Sequence, residues 1–278
     1  MSGRTRRRDP YRILSYAVVA LFLIWVLAPI VTVALNSLKV PADIFTRLPR
    51  LLFSPTLQHY ERVLGDLDFL GNVRTSVVVA LASTALSLCL GLPAAYALAR
   101  LPLRGREGWA GLILFTRMAP AVALVVPVFV LFNQLSLLGT VQAIILAHTT
   151  FTLPLVIWMM RSFFEELPAE LEEAAKVDGA STFGAFRRVA LPLAMNGVVA
   201  AAVLCVLFSW NEFLFALILS GPDTKTVPIG VASFIGTVSV DWGGSSAAAV
   251  IAMIPVFILG LAVQRFLVRG LTLGAVKG

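Results

Sequence analysis

Six polar side chains interrupt long apolar stretches of this 278-residue chain. Hydrogen-bonding and ionisable groups surrounded by apolar residues are costly, which makes them candidates for function. Their hydroxyl, amide and ionisable groups can form hydrogen bonds with a polar molecule. The candidates form a tentative substrate path of Arg117, His148, Thr149, Thr150, Asn211 and Glu212.

The two charged candidates also allow a structural interpretation. Arg117 or Glu212 could instead pair with another helix, with a partner subunit or with backbone carbonyls. His148 is not expected to bind a metal, because the only other histidine, His59, lies in a separate loop. The sequence leaves the role of Arg117 and Glu212 open between these interpretations.

A charged segment, EEAAKVDGASTFGAFRRVALPLA (Glu172–Ala194), separates two apolar blocks. Pro168 suits a first helical position, and the acids that follow it favour the positive end of a helix. Gly179 suits the left-handed position after the last turn, and Ser181 can cap a second helix. The segment therefore predicts a helix–glycine–helix hairpin over residues 166–192.

The hairpin is expected to present a small apolar patch. Leu167, Leu171, Ala174 and Ala175 share one helix face, and small side chains allow close approach by another surface. A helix lying on the membrane is the alternative, but such helices carry Lys and Arg rather than acids on their polar face. The pattern favours a protein dock.

The sequence lacks the motifs of several kinds of enzyme and of nucleic-acid-binding proteins. None of the four lysines stands in a G-x4-G-K-[ST] phosphate loop, and no Ser/His/Asp or Cys/His set for covalent catalysis is visible. Cys89 and Cys205 lie in apolar runs and are interpreted as inert buried thiols. No basic face with interleaved aromatics indicates nucleic-acid binding. We therefore expect no enzyme activity and no cofactor in this chain itself.

The elements that carry these residues are expected to be membrane helices. The chain is 59% apolar and 13% charged with a mean hydropathy of +0.90, whereas soluble proteins have about 25% charged residues. A span needs about 20 mostly apolar residues. The sequence predicts an all-α membrane protein, one permease-like domain over residues 1–278, with six transmembrane helices. Their expected ranges are 13–35, 73–99, 109–132, 139–160, 197–220 and 246–268.

Orientation follows from the distribution of positive charge. With the N-terminus inside, the inner segments hold 15 Lys and Arg residues and the outer segments hold 6. Positive residues concentrate on the cytoplasmic side. Both termini, the hairpin 166–192 and the tail 269–278 are therefore predicted in the cytoplasm of a multi-pass protein of the cytoplasmic (inner) membrane.

Three stretches resemble the maltose-type carbohydrate permeases of ABC importers. Glu173-Ala174-Ala175, Gly179 and Val189-x-Leu191-Pro192 match the EAA motif, EAA-x3-G-x9-I-x-LP, with valine for isoleucine. SWNEFLFAL (Ser209–Leu217) and the ending GLTLGAVKG (Gly270–Gly278) are also similar to that group. The resemblance extends over almost the whole chain and implies a type I importer permease.

The resemblance implies a mechanism as well. The hairpin would be the coupling helix that docks on a cytoplasmic ATPase, with Glu173 pairing with a basic residue there. The residues implied in ATPase coupling are Glu172, Glu173, Ala174, Ala175, Asp178, Gly179, Leu191 and Pro192. Two ATPase subunits would bind ATP and Mg, and a second permease, expected as a different chain, would complete the membrane pathway. Alternating access would move a sugar or polyol along the interface of the two permeases.

Two further implications concern the ends of the pathway. The outer loop 220–245 would reach into an extracytoplasmic solute-binding protein, although a plain connector fits the residues equally well. The tail 269–278 would reach toward the ATPase interface, and a regulatory role for it is open. The sequence does not say which solute is carried, nor whether this subunit contacts it.

Two other functions remain alternatives to an importer subunit. An ion-coupled secondary transporter would use Glu212 and Arg117 as relay groups, and inverted repeats would support it, but no convincing repeat is visible. A membrane receptor without transport is the second alternative. Neither requires an ATPase dock, so the hairpin disfavours both.

Overall fold

The structure is a computed structural model that describes residues 10–46, 50–236 and 240–274. Within these ranges the chain is helical, and the only β-type pairing is an isolated bridge between Ile235 and Val240. The all-α prediction is confirmed. The helices are α1 (Pro10–Asn36), α2 (Pro41–Ile44), α3 (Gln58–Glu61), α4 (Phe69–Arg100), α5 (Arg106–Met118), α6 (Ala121–Gln134), α7 (Val141–Glu165), α8 (Ala169–Val177), α9 (Thr182–Ala185), α10 (Leu191–Leu193), α11 (Met195–Asn211), α12 (Leu214–Leu219), α13 (Val227–Ala232) and α14 (Trp242–Gly274).

Two five-residue π-helical segments complete the assignment. Arg62–Asp66 follows α3, and Phe186–Ala190 joins α9 to α10. Part of the predicted tail 269–278 is helical as the end of α14, whereas residues 275–278 lie outside the described residues. The same is true of the positive charges at positions 4, 6, 7, 8 and 47 that contributed to the predicted orientation.

Four helices of the described residues are long and apolar enough to cross a membrane, and two bent pairs could each form one more span. The four are Leu14–Asn36, Phe69–Arg100, Val141–Glu165 and Trp242–Leu261. The bent pairs are Arg106–Met118 with Ala121–Gln134 and Thr182–Leu193 with Met195–Asn211. The count therefore lies between four and six.

The predicted third span, 109–132, is not one continuous helix. Its two halves, α5 and α6, meet at an angle of 93°. The break falls at Ala119, which is extended, with ψ 127°, because it precedes Pro120. Steric conflict with the proline ring disfavours helical backbone in the preceding residue, and the proline has no N–H to bridge the gap.

The predicted fifth span, 197–220, is also interrupted. Helix α11 ends at Asn211, Glu212 is extended with ψ 126°, and α12 begins at Leu214. At the other end of α11, the Thr182–Leu193 segment meets it at 77°. The chain thus divides this apolar stretch into a long helix and a short one separated by an acidic residue.

The larger of two compact units, Asp68–Ser233 with Ala252–Gly278, is built around α4, α7 and α11. Helices α4 and α7 approach closely at Gly91, where a Cβ atom would lie 2.7 Å from Cγ1 of the buried Val156. Glycine at this position permits a backbone-to-side-chain contact that no other residue allows. Buried apolar side chains from these three helices form the core.

The smaller unit is drawn from residues up to Leu67 and from Phe234–Ile251. Its polar contacts tie the segment after α1 together: the Ser37 and Tyr60 hydroxyls lie 2.8 Å apart, and Nε2 of the buried His59 lies 2.9 Å from the Lys39 carbonyl. Arg62 pairs with Asp241 at 2.8 Å. His59 is therefore part of the packing of this unit.

Candidate functional site

The charged segment folds as the predicted helix–turn–helix. Helix α8 is followed by Gly179, whose φ of +90° lies in the left-handed region that favours glycine. Ser181 then caps the next helix, its hydroxyl accepting a hydrogen bond from the Gly184 N–H at 3.1 Å. Pro168 stands one position earlier than expected, at the N-cap, and α8 begins at Ala169. These residues hold the two arms of the hairpin in a fixed turn.

One face of α8 is open. Glu173 and Ala174 are exposed, Val177 is 88% exposed, and Phe183 across the turn is 65% exposed. Large apolar side chains that stand in the open beside an acid are typical of an interaction surface. We call Glu173, Ala174, Val177 and Phe183 the docking face. The predicted apolar patch is only partly open, because Leu167 and Ala175 are half-buried. Binding of another protein to the docking face stays a prediction.

The opposite face of α8 carries a single buried residue, Glu172, which is 4% exposed. Its carboxylate accepts a hydrogen bond from the Tyr96 hydroxyl at 2.5 Å and pairs with Nε of Arg100 at 2.9 Å. Arg100 also donates to the Leu167 carbonyl, just before α8. A buried carboxylate needs such partners, because an unpaired charge in the interior is strongly unfavourable. We call Tyr96, Arg100 and Glu172 the latch.

The second arm of the hairpin packs against the same end of α4. The Tyr96 ring lies 4.9 Å from that of Phe186 and 5.6 Å from that of Phe164 at the end of α7, with the latter pair edge to face. Ala185 at the end of α9 and Ala190 at the end of the π-helical segment are fully buried. The hairpin is therefore joined to α4 and α7 by an aromatic cluster as well as by the latch.

The predicted coupling residues separate into two groups. Glu172 is an internal anchor and does not lie on the docking face, because its carboxylate pairs with Arg100 on α4. Asp178 and Pro192 are exposed with Glu173 and Ala174, whereas Ala175 and Leu191 are half-buried. Gly179 makes the turn. The role of each in coupling stays a prediction.

A second buried polar cluster lies where α11 ends. The ring of the fully buried His148 lies 2.7 Å from the Ser209 hydroxyl through Nδ1 and 3.1 Å from Glu212 Oε2 through Nε2. The Glu212 carboxylate also accepts the backbone N–H groups of Phe215 and Ala216 at 2.9 and 3.1 Å. A carboxylate at a helix N-terminus satisfies amides that have no partner within the helix. Glu212 therefore joins α7 to the start of α12.

The other predicted path residues are spread apart. Thr149 is buried, and its hydroxyl donates to the Ile145 carbonyl one turn back in α7; Thr150 donates likewise to Ala147. Asn211 is exposed and donates to Leu207. Arg117 is exposed at the end of α5, with its guanidinium 5.4 Å from the centre of the Phe208 ring. The described residues bring together His148 and Glu212, but the other four do not join them in one site.

Glu212→Ala is expected to destabilise the protein. The change leaves two amides and the buried His148 ring without their acceptor, and each unsatisfied buried group costs about 1–3 kcal/mol. The melting temperature in detergent should fall by several degrees, and Glu212→Gln, which keeps one oxygen, should fall less. Asn211→Ala is the control, because its side chain is exposed and bonds only within its own helix. Equal melting temperatures for Glu212→Ala and Asn211→Ala would contradict this role.

Sequence reasoning missed the partners of these charged groups. Tyr96 and Arg100 lie one turn apart at the end of α4, which is a signal that both face one direction, but their target is 72 residues away from Arg100. The Ser87 and Thr152 hydroxyls lie 2.7 Å apart, and the Thr152 hydroxyl also donates to the His148 carbonyl. The Ser83 hydroxyl donates to the Ser209 hydroxyl. Serine and threonine at regular spacing in an apolar helix were the available clue.

Comparisons with known proteins agree with this architecture. Residues 87–273 match the family described as "Binding-protein-dependent transport system inner membrane component". The inner membrane ABC transporter permease protein YcjP of Escherichia coli is 35% identical, over 99% of both chains. The trehalose transport system permease protein SugB of Mycobacterium tuberculosis is 40% identical, over 80% of this chain and 82% of that one.

A solved structure has the same fold. A chain in the crystal structure of a bacterial ABC transporter involved in the import of the acidic polysaccharide alginate superposes with a TM-score of 0.79 and 25% identity, over 95% of this chain and 99% of that one. The predicted ABC importer permease architecture is confirmed, and with it the expected role as a transport subunit in place of an enzyme. This chain belongs to the family of inner membrane components of binding-protein-dependent transport systems.

Proposed function

We propose that this chain moves a sugar or polyol across the cytoplasmic membrane as one permease subunit of an ATP-driven importer. The observation that carries the proposal is the hairpin, whose docking face is open while its other face is bound to the membrane helices. Family membership makes an ion-coupled transporter the less favoured alternative. The substrate class rests on the resemblance to carbohydrate permeases and on the trehalose and alginate systems named for two similar proteins.

The assembly that we propose contains four further subunits. Two ATPase subunits hold ATP and Mg, and one of them binds the docking face. A second, different permease completes the pathway, and an extracytoplasmic binding protein delivers the solute to the outer side. In the proposed topology of six spans, both termini lie on the same side of the membrane, and the bias of positive charge assigns that side to the cytoplasm. The ATPases would then meet the hairpin 166–192 there. The similar proteins described above belong to ABC transporters or sugar transport systems, which supports this arrangement in general terms.

The exposed candidates fit a path along the permease interface. Arg117, Thr150 and Asn211 are accessible on the single chain, so they are available to a second permease or to solute. His148 and Glu212 are proposed to hold α7, α11 and α12 together near that path. The Thr149 hydroxyl is satisfied within α7. Hydroxyl and amide groups at its surface suit a polyhydroxylated solute.

Co-purification tests the proposed function. The chain is tagged in its native membrane, solubilised in mild detergent, and its associated proteins are identified by mass spectrometry. We expect an ATPase in fixed proportion, a second permease and a binding protein, which is then screened against sugars and polyols. Recovery of the chain alone, together with solute uptake driven by an ion gradient, would overturn the proposal and return Arg117 and Glu212 to the role of relay groups.

A further inference from the structure

Helix α4 contacts the cytoplasmic hairpin at one end and the outer loop at the other. At the outer end, the buried Ser76 hydroxyl accepts the Val227 N–H at 2.7 Å, at the start of α13. The α13 backbone lies directly on α4, since a Cβ atom at Gly230 would be 2.3 Å from Asn72 Nδ2 and 2.9 Å from the Phe69 ring. The latch occupies the other end. One continuous helix of 32 residues, about 48 Å at 1.5 Å per residue, joins the two.

Fixed contacts hold α4 between these ends. Ser83 and Ser87 form buried hydroxyl bonds to Ser209 and Thr152, at 3.3 and 2.7 Å. Gly91 lies against Val156 without room for a side chain. Tightly packed interfaces shift between discrete arrangements and do not deform continuously, so a displacement at one end of α4 is passed along the helix.

Glu172 connects the docking face to this helix. It is the one buried residue of α8, and it lies next in sequence to Glu173 on the docking face. Its carboxylate is 4% exposed and is bound by two side chains of α4, Tyr96 and Arg100. Without that carboxylate, α8 would keep its open face but lose its only polar connection to α4 among the described contacts.

We propose that α4 carries the conformational signal between the cytoplasmic hairpin and the outer segment α13, with Glu172 as the positioning residue that ties the hairpin to α4. The inference rests on the proposed function, because an ATPase must move the docking face. Glu173 contacts the ATPase in this scheme, whereas Glu172 passes the movement on. Loss of the two residues therefore has different consequences. Loss of Glu173 removes the ATPase, whereas loss of Glu172 leaves the ATPase bound to the hairpin but uncouples the hairpin from α4.

The test uses a reporter on α13 and ATP as the only probe. An environment-sensitive fluorophore is attached to Ser233→Cys, an exposed position that follows α13, in a Cys89→Ala background. The background is needed because Cys89 is exposed, so the prediction that both native thiols are buried is wrong for Cys89. Cys205 stays, because it is buried. The co-purified complex, with its ATPase subunits, receives Mg-ATP, and the spectral change at position 233 is recorded beside the rate of ATP hydrolysis.

The variants are Glu172→Gln, Arg100→Gln, the double variant and the control Glu166→Gln, an exposed acid before α8. We expect the ATP-dependent spectral change to fall at least about fivefold in each latch variant, which is the lower end of ordinary coupling between sites. The ATPase should be recovered in the same proportion as in the control, because Glu172 is buried and does not belong to the docking face. The double variant should lose no more signal than either single one, because both remove the same connection.

Two results would overturn the inference. The first is a spectral change in Glu172→Gln equal to that of Glu166→Gln. The second is loss of the ATPase from Glu172→Gln, which would make Glu172 part of the dock. Tyr96→Phe keeps the Arg100 pair and removes one hydrogen bond, so a reduced signal in this milder variant supports the inference even where Glu172→Gln fails to fold. Absence of an ATPase from the wild-type chain would instead refute the proposed function.

Discussion

Glu173→Lys should abolish transport while leaving the protein correctly folded in the membrane. Glu173 is exposed on α8, and its side chain forms no ion pair or hydrogen bond among the described residues, so its replacement removes no internal polar contact of these residues. Charge reversal at a paired position in an interface typically costs about 2–5 kcal/mol or more, and each 1.4 kcal/mol is a factor of ten in affinity. The ATPase held by this hairpin should be lost from the purified complex.

The measurement is ATPase stoichiometry in nucleotide-free detergent, with uptake in reconstituted vesicles as the second readout. A partner permease would keep its own ATPase, so we expect one of the two copies to disappear. Glu166→Lys places the same charge reversal on an exposed acid before α8 and should retain both copies. An unchanged stoichiometry in Glu173→Lys would show that the docking face lies elsewhere.

Gly91→Val should disrupt the contact between α4 and α7. The first added atom, Cβ, already lies 2.7 Å from Val156 Cγ1 and 3.3 Å from Leu153 Cδ1, and valine adds two more methyl groups. Val156 is fully buried and branched at Cβ, so it has few alternative rotamers. Overpacking of this kind costs about 1–3 kcal/mol or more. The melting temperature should fall by roughly 2–12 °C, or the protein should fail to accumulate.

A thermal-unfolding series in detergent checks this prediction. Val156→Ala in the Gly91→Val background should recover part of the loss, because it removes the methyl groups that collide. Gly111→Val is the matched control, since no atom lies within 4 Å of a Cβ at that position on α5. Equal melting temperatures for Gly91→Val and Gly111→Val would contradict the close packing of α4 and α7.

Local backbone chemistry made the hairpin predictable. Gly179 and Ser181 act through their own φ angle and their own hydroxyl, so a few neighbouring residues suffice to determine the turn and the cap. The orientation of Glu172 was not predictable in the same way. Adjacent acids on a helix look equivalent in sequence, and only the position of Arg100 on another helix decides which one is buried.

The breaks in the predicted spans were hidden for a related reason. Hydropathy averages over a window of residues, so it marks 109–132 and 197–220 as apolar regardless of backbone direction. Pro120 signalled a possible kink, but the 93° angle depends on the surroundings of α5 and α6. Glu212 was recognisable as costly in an apolar stretch, whereas its bonds to His148 and to the α12 amides depend on tertiary structure. Residue type was therefore enough to select the candidate path residues, but it did not predict which of them lie together in the fold.

The hydroxyls of α7 have a consequence for biogenesis. Thr149, Thr150 and Thr152 each donate to a carbonyl of their own helix, so α7 can leave the translocon with these groups already satisfied. His148 differs, because both of its partners belong to a later part of the chain. During synthesis the His148 imidazole lacks both hydrogen-bond partners until Ser209 and Glu212, 61 and 64 residues downstream, have emerged. The nascent chain therefore carries an imidazole without its folded-state partners until this later segment has been made.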